Sequence, residues 1–206
     1  MSGHSSGRGA ALPLAFALAG LLLSGCAHEA PDVQAVRKAS ERYLRALARK
    51  ELEVLRTTST CVVSMNTLAG GRVLSIGPAE PGRVAGLDSI LATAESDQRR
   101  ADSLWYRASP ATADSLYRWR RRLGLRYVTC RNAQRAVALS LADSSVTRAT
   151  PIETRRVLVR VRYAGALIGP RPVDREEILR LLRAGAGHWI AYSLYLTRDD
   201  PILPSR

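Results

Sequence analysis

The chain changes hydrophobic period partway along, and that switch limits its folds more than any other feature. Up to about Leu123, apolar residues recur every three or four positions, the spacing of one helix face. Val36, Ala39, Tyr43, Leu47 and Val54 form a first stripe, which Val33, Leu44 and Leu55 widen. Asp32 after Pro31 suits a helix N-cap. The pattern predicts a helix from Val33 to about Arg56, with the pairs Arg37–Glu41 and Glu41–Arg45 on its wet side. Leu87, Ile90, Leu91, Ala94, Ala101, Leu104 and Trp105 give a second stripe, which Ser109-Pro110 breaks. Leu116, Trp119 and Leu123 give a third helix, and Gly124 suits its C-terminal cap.

From Arg135 the period becomes two. Val137, Leu139 and Leu141 alternate with Ala138 and Ser140; Val157, Val159, Val161 and Tyr163 alternate with Leu158, Arg160 and Arg162; Ile190, Tyr192, Leu194 and Leu196 alternate with Ala191, Ser193 and Tyr195. These read as strands with one apolar face. Glu176–Arg183 is helical by composition, but Gly185-Ala186-Gly187 before the last strand suits a hairpin, so a strand is expected. The last four strands would make an antiparallel meander. Between the two regimes, Gly70-Gly71, Gly77-Pro78 and Pro81-Gly82 are turn signals, leaving only short strands at Arg72–Ile76 and Cys61–Val63. Gly165 and Gly169 flank an apolar pair and read as a turn. The sum is one α+β domain with N-terminal helices packed on one face of a curved antiparallel sheet. A tetrapeptide, Ala-Asp-Ser-Leu, occurs at 101–104 and 113–116, followed by Trp105 and Tyr117. A spacing of twelve is not a whole number of turns, and the repeat reads as coincidence.

Two stretches resemble the nuclear transport factor 2-like superfamily. Tyr43-Leu44-Arg45-Ala46-Leu47-Ala48-Arg49-Lys50-Glu51-Leu52-Glu53-Val54-Leu55 is similar to its opening helix, and Gly187-His188-Trp189-Ile190 to the start of its last strand. The resemblance covers under half the chain. It implies a cone-shaped sheet around helices, a scaffold that carries isomerases and dehydratases as well as binding modules, so it does not select a function. In such a cone, Tyr43, Tyr163, Trp189 and Tyr192 would line a pocket.

The first 25 residues bear on where the chain goes. Residues 1–9 carry one charge, Arg8, ahead of the apolar run Ala11-Leu12-Pro13-Leu14-Ala15-Phe16-Ala17-Leu18-Ala19-Gly20-Leu21-Leu22-Leu23. A short positive region, a short apolar region and small residues at the cut describe a secretory signal peptide. Its ending, Leu23-Ser24-Gly25-Cys26, resembles the lipobox of bacterial lipoproteins. The resemblance implies removal of residues 1–25, a diacylglyceryl thioether on Cys26 and acylation of the new amino terminus. Several acyl chains give stable attachment where one does not. Residues 26–31 then form the lipidated cysteine and tether, and 32–206 the domain. Ala27, rather than aspartate, after the cysteine favours the outer membrane over the inner.

Charge is high and uneven. Formal net charge is +13, from 31 Lys+Arg against 18 Asp+Glu, and only Lys38 and Lys50 are lysines. Asp97–Arg135 and Arg155–Arg183 hold the excess. In the run Tyr117-Arg118-Trp119-Arg120-Arg121-Arg122-Leu123-Gly124-Leu125-Arg126-Tyr127, aromatics interleave with arginines. Arg118, Arg120, Arg121, Arg122 and Arg126 could lie on anionic lipid headgroups or cell-envelope polymers. The alternative is a helix whose Leu116, Trp119 and Leu123 face the core while the arginines snorkel outward. Nucleic acid, the usual partner of such a balance, is not expected for an exported chain.

Chemical motifs are sparse. His28 lies in the tether and His188 at a hairpin end. Neither Cys61 nor Cys130 has a second zinc ligand within four residues, and no nucleophile motif or phosphate-cradling glycine loop occurs. Outside the cytoplasm, two thiols are the number one disulfide needs. A Cys61–Cys130 bridge would contribute about 4 kcal/mol; two buried free thiols are the alternative. The expectation is a non-enzymatic, membrane-anchored envelope lipoprotein of binding or structural type, without metal or cofactor. The alternative is an isomerase- or dehydratase-like or small-molecule-binding cone.

Overall fold

The computed structural model describes residues 29–61, 67–141, 146–165 and 168–196; Cys26 and the residues before it, on which the lipobox reading falls, lie outside them. From Asp32 onward the chain is one compact unit. It is an α+β domain, four helices packed against an open, four-stranded antiparallel sheet.

Helix α1 (Pro31–Arg49) follows the first stripe, burying Val36, Ser40, Tyr43, Leu44, Ala46 and Leu47. The buried Ser40 hydroxyl donates to the Val36 carbonyl four residues back, at 2.8 Å. The expected single helix to Arg56 breaks at Lys50, which takes φ 58°. There the Glu51 N–H reaches back to the Ala46 carbonyl (2.9 Å) and the Lys50 N–H to that of Leu47 (3.2 Å). This is a Schellman-type stop, formed despite the cost of about 1 kcal/mol for a side chain in the left-handed region. A short α2 (Leu52–Thr58) follows.

Strand β1 (Leu68–Arg83) runs through all three glycine–proline signals that read as turns. It can do so because it is an edge strand, paired only with β2 (Pro151–Gly165), where missing ladder donors are tolerated. Register shifts between Leu68 and Gly70, Val73 and Ser75, and Ile76 and Ala79 absorb the irregular residues. Helices α3 (Val84–Tyr106) and α4 (Ala113–Leu141) then form an antiparallel hairpin. Gly124 lies inside α4 rather than at its end. The alternation at 137–141 is also helical, because Ala133, Ala136, Val137 and Ser140 recur at helix spacing and are buried. Strands β2, β3 (Gly169–Ala184) and β4 (Ile190–Leu196) match expectation, and the sheet order is β1-β2-β3-β4. The meander therefore has four strands, but its first member is β1 and not 137–141. The expected strand at Cys61–Val63 does not include Cys61; Val62 and Val63 lie outside the described residues.

The sheet is covered on both faces rather than one. Val157, Val159, Val161, Leu179 and Leu181 face α1 in the larger core, with Trp189, Ala191 and Leu194. The alternate residues Leu182 and Ala184, with Ile190, pack beneath Ala133, Ala136 and Val137 of α4 and Val84 of α3. Strand periodicity requires this split, since adjacent residues point to opposite faces. The hairpin covers only one end of its face. Towards the other end, Arg160 sits opposite Glu176 (2.6 Å) and Arg162 opposite Asp174 (2.9 Å), exposed cross-strand ion pairs.

Ser140 fastens the end of α4 to the β3–β4 hairpin. Its hydroxyl donates to the His188 carbonyl (2.6 Å) and accepts from the Ala184 N–H (3.0 Å), while its carbonyl accepts from the His188 N–H (2.9 Å).

Candidate functional site

Where the α3–α4 hairpin leaves the sheet, the two surfaces diverge and enclose a cleft of about 700 Å³. That lies within the usual range for small-molecule sites, roughly 300–1,000 Å³. One face of α4 roofs it through Trp119, Arg122, Leu123, Arg126, Thr129, Cys130 and Ala133. Their spacing of three and four is a single helical stripe that turns from cationic and aromatic to small. The start of α3 supplies Gly86, Leu87 and Ile90, and the floor is Ile152, Thr154, Leu182, Arg180 and Tyr192. At the mouth, Trp119, Arg122 and Arg83 are exposed.

The charged groups of the cleft lining are mostly cationic. Arg180 on β3 is only 2 % exposed. Burying a guanidinium costs several kcal/mol unless nearby groups compensate, and Tyr192 is one such group, hydrogen-bonded to it. Burial pushes the Tyr192 hydroxyl up to about 12, against the downward pull of the Arg180 charge and hydrogen bond. Arg83, Arg122 and Arg126 add three more cations to the wall. Asp97, outside the lining, is 3.6 Å from Arg126. The single acid of the lining, Glu80, is held by Arg156 at 2.9 Å. Thr129, 1 % exposed, is among the lining residues, and its buried hydroxyl oxygen has no hydrogen-bond partner. Burial raises the Cys130 thiol, and Arg126 opposes that rise.

The aromatic pocket expected from sequence is dispersed. Tyr43 and Trp189 are packed in the core on the α1 face, and Tyr163 flanks that core. The Tyr163 hydroxyl donates to Glu177, whose carboxyl burial holds above its usual range. Of the four aromatics, Tyr192 alone lines the cleft. The expected Cys61–Cys130 disulfide is not formed; both are free thiols. The two side chains are committed elsewhere: Cys61 Sγ is 2.8 Å from the Tyr43 hydroxyl beside the α1 core, while Cys130 faces the cleft. His188 is exposed at the β3–β4 turn.

The basic run divides by helix face. Arg122 and Arg126 turn toward the cleft. Arg118 and Arg121 are exposed on other sides of α4, and Arg120 closes the hairpin by bonding Asp102 at 2.5 Å. This bond, ahead of a second from Gln98, holds the Asp102 carboxyl below its ordinary range. The Arg120 guanidinium lies 5.9 Å from the Trp105 ring and 6.0 Å from that of Tyr106. Trp105 and Tyr117, which follow the two Ala-Asp-Ser-Leu copies, meet with ring centroids 5.7 Å apart. The repeat thus brackets the hairpin tip from both sides. Tyr106 and Tyr117 are exposed there.

Among the described residues, no group of three or more His, Cys, Asp and Glu is placed to hold a metal, and no helix is long and apolar enough to cross a membrane. The fold and cleft thus define an α+β domain with a cationic, partly apolar groove between a helical hairpin and a sheet. No protein-family profile, curated protein or solved structure matches the chain.

Proposed function

We propose that the chain is a non-enzymatic binding lipoprotein of the bacterial cell envelope, tethered through Cys26 to the outer membrane. Its domain meets anionic lipid headgroups or envelope polymers through the α3–α4 hairpin. The observation that carries the surface reading is the hairpin's distal half. From Glu95 to Val128 only Ala101 is buried, while Arg100, Arg107, Arg118 and Arg121 are exposed beside the exposed rings of Tyr106 and Tyr117. Cations with aromatic rings at one tip suit an anionic headgroup layer, the rings at interface depth and the guanidinium groups on phosphates. The tetrapeptide ending at Cys26 supports the anchor.

The narrower fold reading, a cone of the nuclear transport factor 2-like type, draws support from α1 lying on the sheet and from Gly187–Ile190 opening β4. Helices on the opposite face count against it. A binding role suits the ionisable groups of the cleft better than proton transfer: four arginines, a paired glutamate, and a tyrosine and thiol both raised by burial.

Intact mass of the membrane-extracted protein tests the anchor. A product beginning at Cys26 with acyl mass is expected; one retaining residues 1–25, or without acyl chains, defeats it. The full chain carrying Cys26→Ala tests the surface. It should float with anionic vesicles at low salt and release as salt shortens the screening length from about 10 Å at 0.1 M toward 3 Å at 1 M. Indifference to anionic vesicles sinks the electrostatic reading.

A further inference from the structure

We infer that the cleft between the α3–α4 hairpin and the sheet binds an amphiphile with one anionic headgroup, a carboxylate or phosphate, on an apolar chain. This inference concerns the domain alone and stands whether or not Cys26 carries lipid.

Three observations carry it. The walls are largely apolar, with Leu87, Ile90, Leu123, Ile152 and Leu182 around about 700 Å³. The charges in the lining are one-sided, four arginines against Glu80, with Glu80 held by Arg156 and Arg126 beside Asp97. Thr129 on the α4 roof carries a buried hydroxyl without a partner, across the cleft from a floor that includes Tyr192 and Arg180. A wholly apolar ligand would leave that hydroxyl unsatisfied and would set an alkyl chain against charged guanidinium groups. A small hydrophilic anion would leave the apolar walls wet. A cationic amphiphile would meet four guanidinium groups. An anionic amphiphile fits all three features, its head accepting charge-assisted hydrogen bonds and its chain covering the leucines and isoleucines.

The full chain carrying Cys26→Ala is titrated calorimetrically, below micelle concentrations, with dodecanoate, dodecyl phosphate, dodecanol, dodecyltrimethylammonium, acetate and inorganic phosphate. Saturable one-to-one binding of dodecanoate or dodecyl phosphate is expected, and whichever is tighter identifies the headgroup. Dodecanol should bind about tenfold or more weakly, because it lacks the charge-assisted bonds. Acetate and inorganic phosphate should not saturate in the same range.

Arg180→Met tests the buried cation but endangers folding. Arg83→Gln with Arg122→Gln at the exposed mouth, and Ile90→Glu on the half-exposed wall, therefore serve beside it. Each should weaken dodecanoate about tenfold with an unchanged circular dichroism spectrum. Equal binding of dodecanol, or of the ammonium amphiphile, overturns the headgroup assignment. Inorganic phosphate binding as tightly as dodecyl phosphate overturns the amphiphile. No binding, or wild-type affinity in the mouth and wall variants, overturns the site.

Discussion

Gly187→Ala tests whether the α4 end and the β3–β4 hairpin form one locked unit. A Cβ at position 187 would stand 2.1 Å from the Ser140 carbonyl oxygen and 2.7 Å from its Oγ. The nearer obstacle is backbone, so no side-chain rotation relieves it. The helix end or the hairpin must withdraw, and the three hydrogen bonds joining Ser140 to His188 and Ala184 stretch or break. At about 1 kcal/mol net per bond, with about 1–3 kcal/mol for overpacking, the loss is about 4–6 kcal/mol. That is a large part of a typical domain's stability of about 5–15 kcal/mol. Urea unfolding of the full chain, followed by circular dichroism and by the fluorescence of nearby Trp189, should show a markedly lower midpoint. Ser140→Ala alone should cost about 2 kcal/mol, chiefly through the orphaned Ala184 N–H. It should not rescue Gly187→Ala, because the carbonyl remains. A Gly187→Ala loss under about 1 kcal/mol, or rescue by Ser140→Ala, would refute the lock.

Gly124→Ala should act in the opposite direction and stabilise by about 0.5–1 kcal/mol in the same assay. Gly124 is interior to α4, and its added Cβ meets only the movable Gln98 amide oxygen, at 3.3 Å. Glu177→Gln should raise the urea midpoint at pH 7. Burial raises the Glu177 carboxyl above its ordinary value, so the folded state holds that proton more tightly than the unfolded state. Its contribution is full below the unfolded value and lost as pH rises through the folded one, so parent and variant should converge below about pH 4. Cys61 should resist iodoacetamide at pH 8 in the native protein. Burial pushes its thiol up to about 11, which lowers the thiolate fraction about a hundredfold against an ordinary thiol. Peptide mass mapping before and after denaturation reads this directly.

Helix α1 was legible because Val36, Tyr43, Leu44 and Leu47 must share a face; its stop at Lys50 was not, because nothing in a lysine announces positive φ. Strands β2, β3 and β4 carried their period openly. Strand β1 did not, since Gly77-Pro78 and Pro81-Gly82 mark turns unless an edge position and bulges accommodate them, and edge position is a tertiary fact. The run 137–141 misled because five alternating residues satisfy both periods, and packing on Leu182 and Ala184 decided for helix. Half of the cleft was visible in principle: Trp119, Arg122, Leu123, Arg126, Thr129, Cys130 and Ala133 already form one mixed stripe. The other half, Arg180 and Tyr192 from two strands, meets that stripe only after folding.

The cleft lies where α4 changes occupation. Its C-terminal half is core, with Ala133, Ala136 and Val137 fixed on the sheet, so its small residues cannot part from β3 and β4 without unfolding the second apolar cluster. Its N-terminal half is held chiefly by α3, through Arg120 on Asp102 and Arg126 near Asp97. The same geometry gathers cations: two like charges roughly 8 Å apart cost about 2 kcal/mol at an effective dielectric of about 20. The lining sets four arginines against Glu80, with Asp97 beside Arg126, so on the proposed reading an anionic head eases the crowding of like charge while the attached chain lies on the apolar wall. On the proposed reading, Arg83 and Arg122, exposed at the mouth, are the residues through which the strength of binding is set.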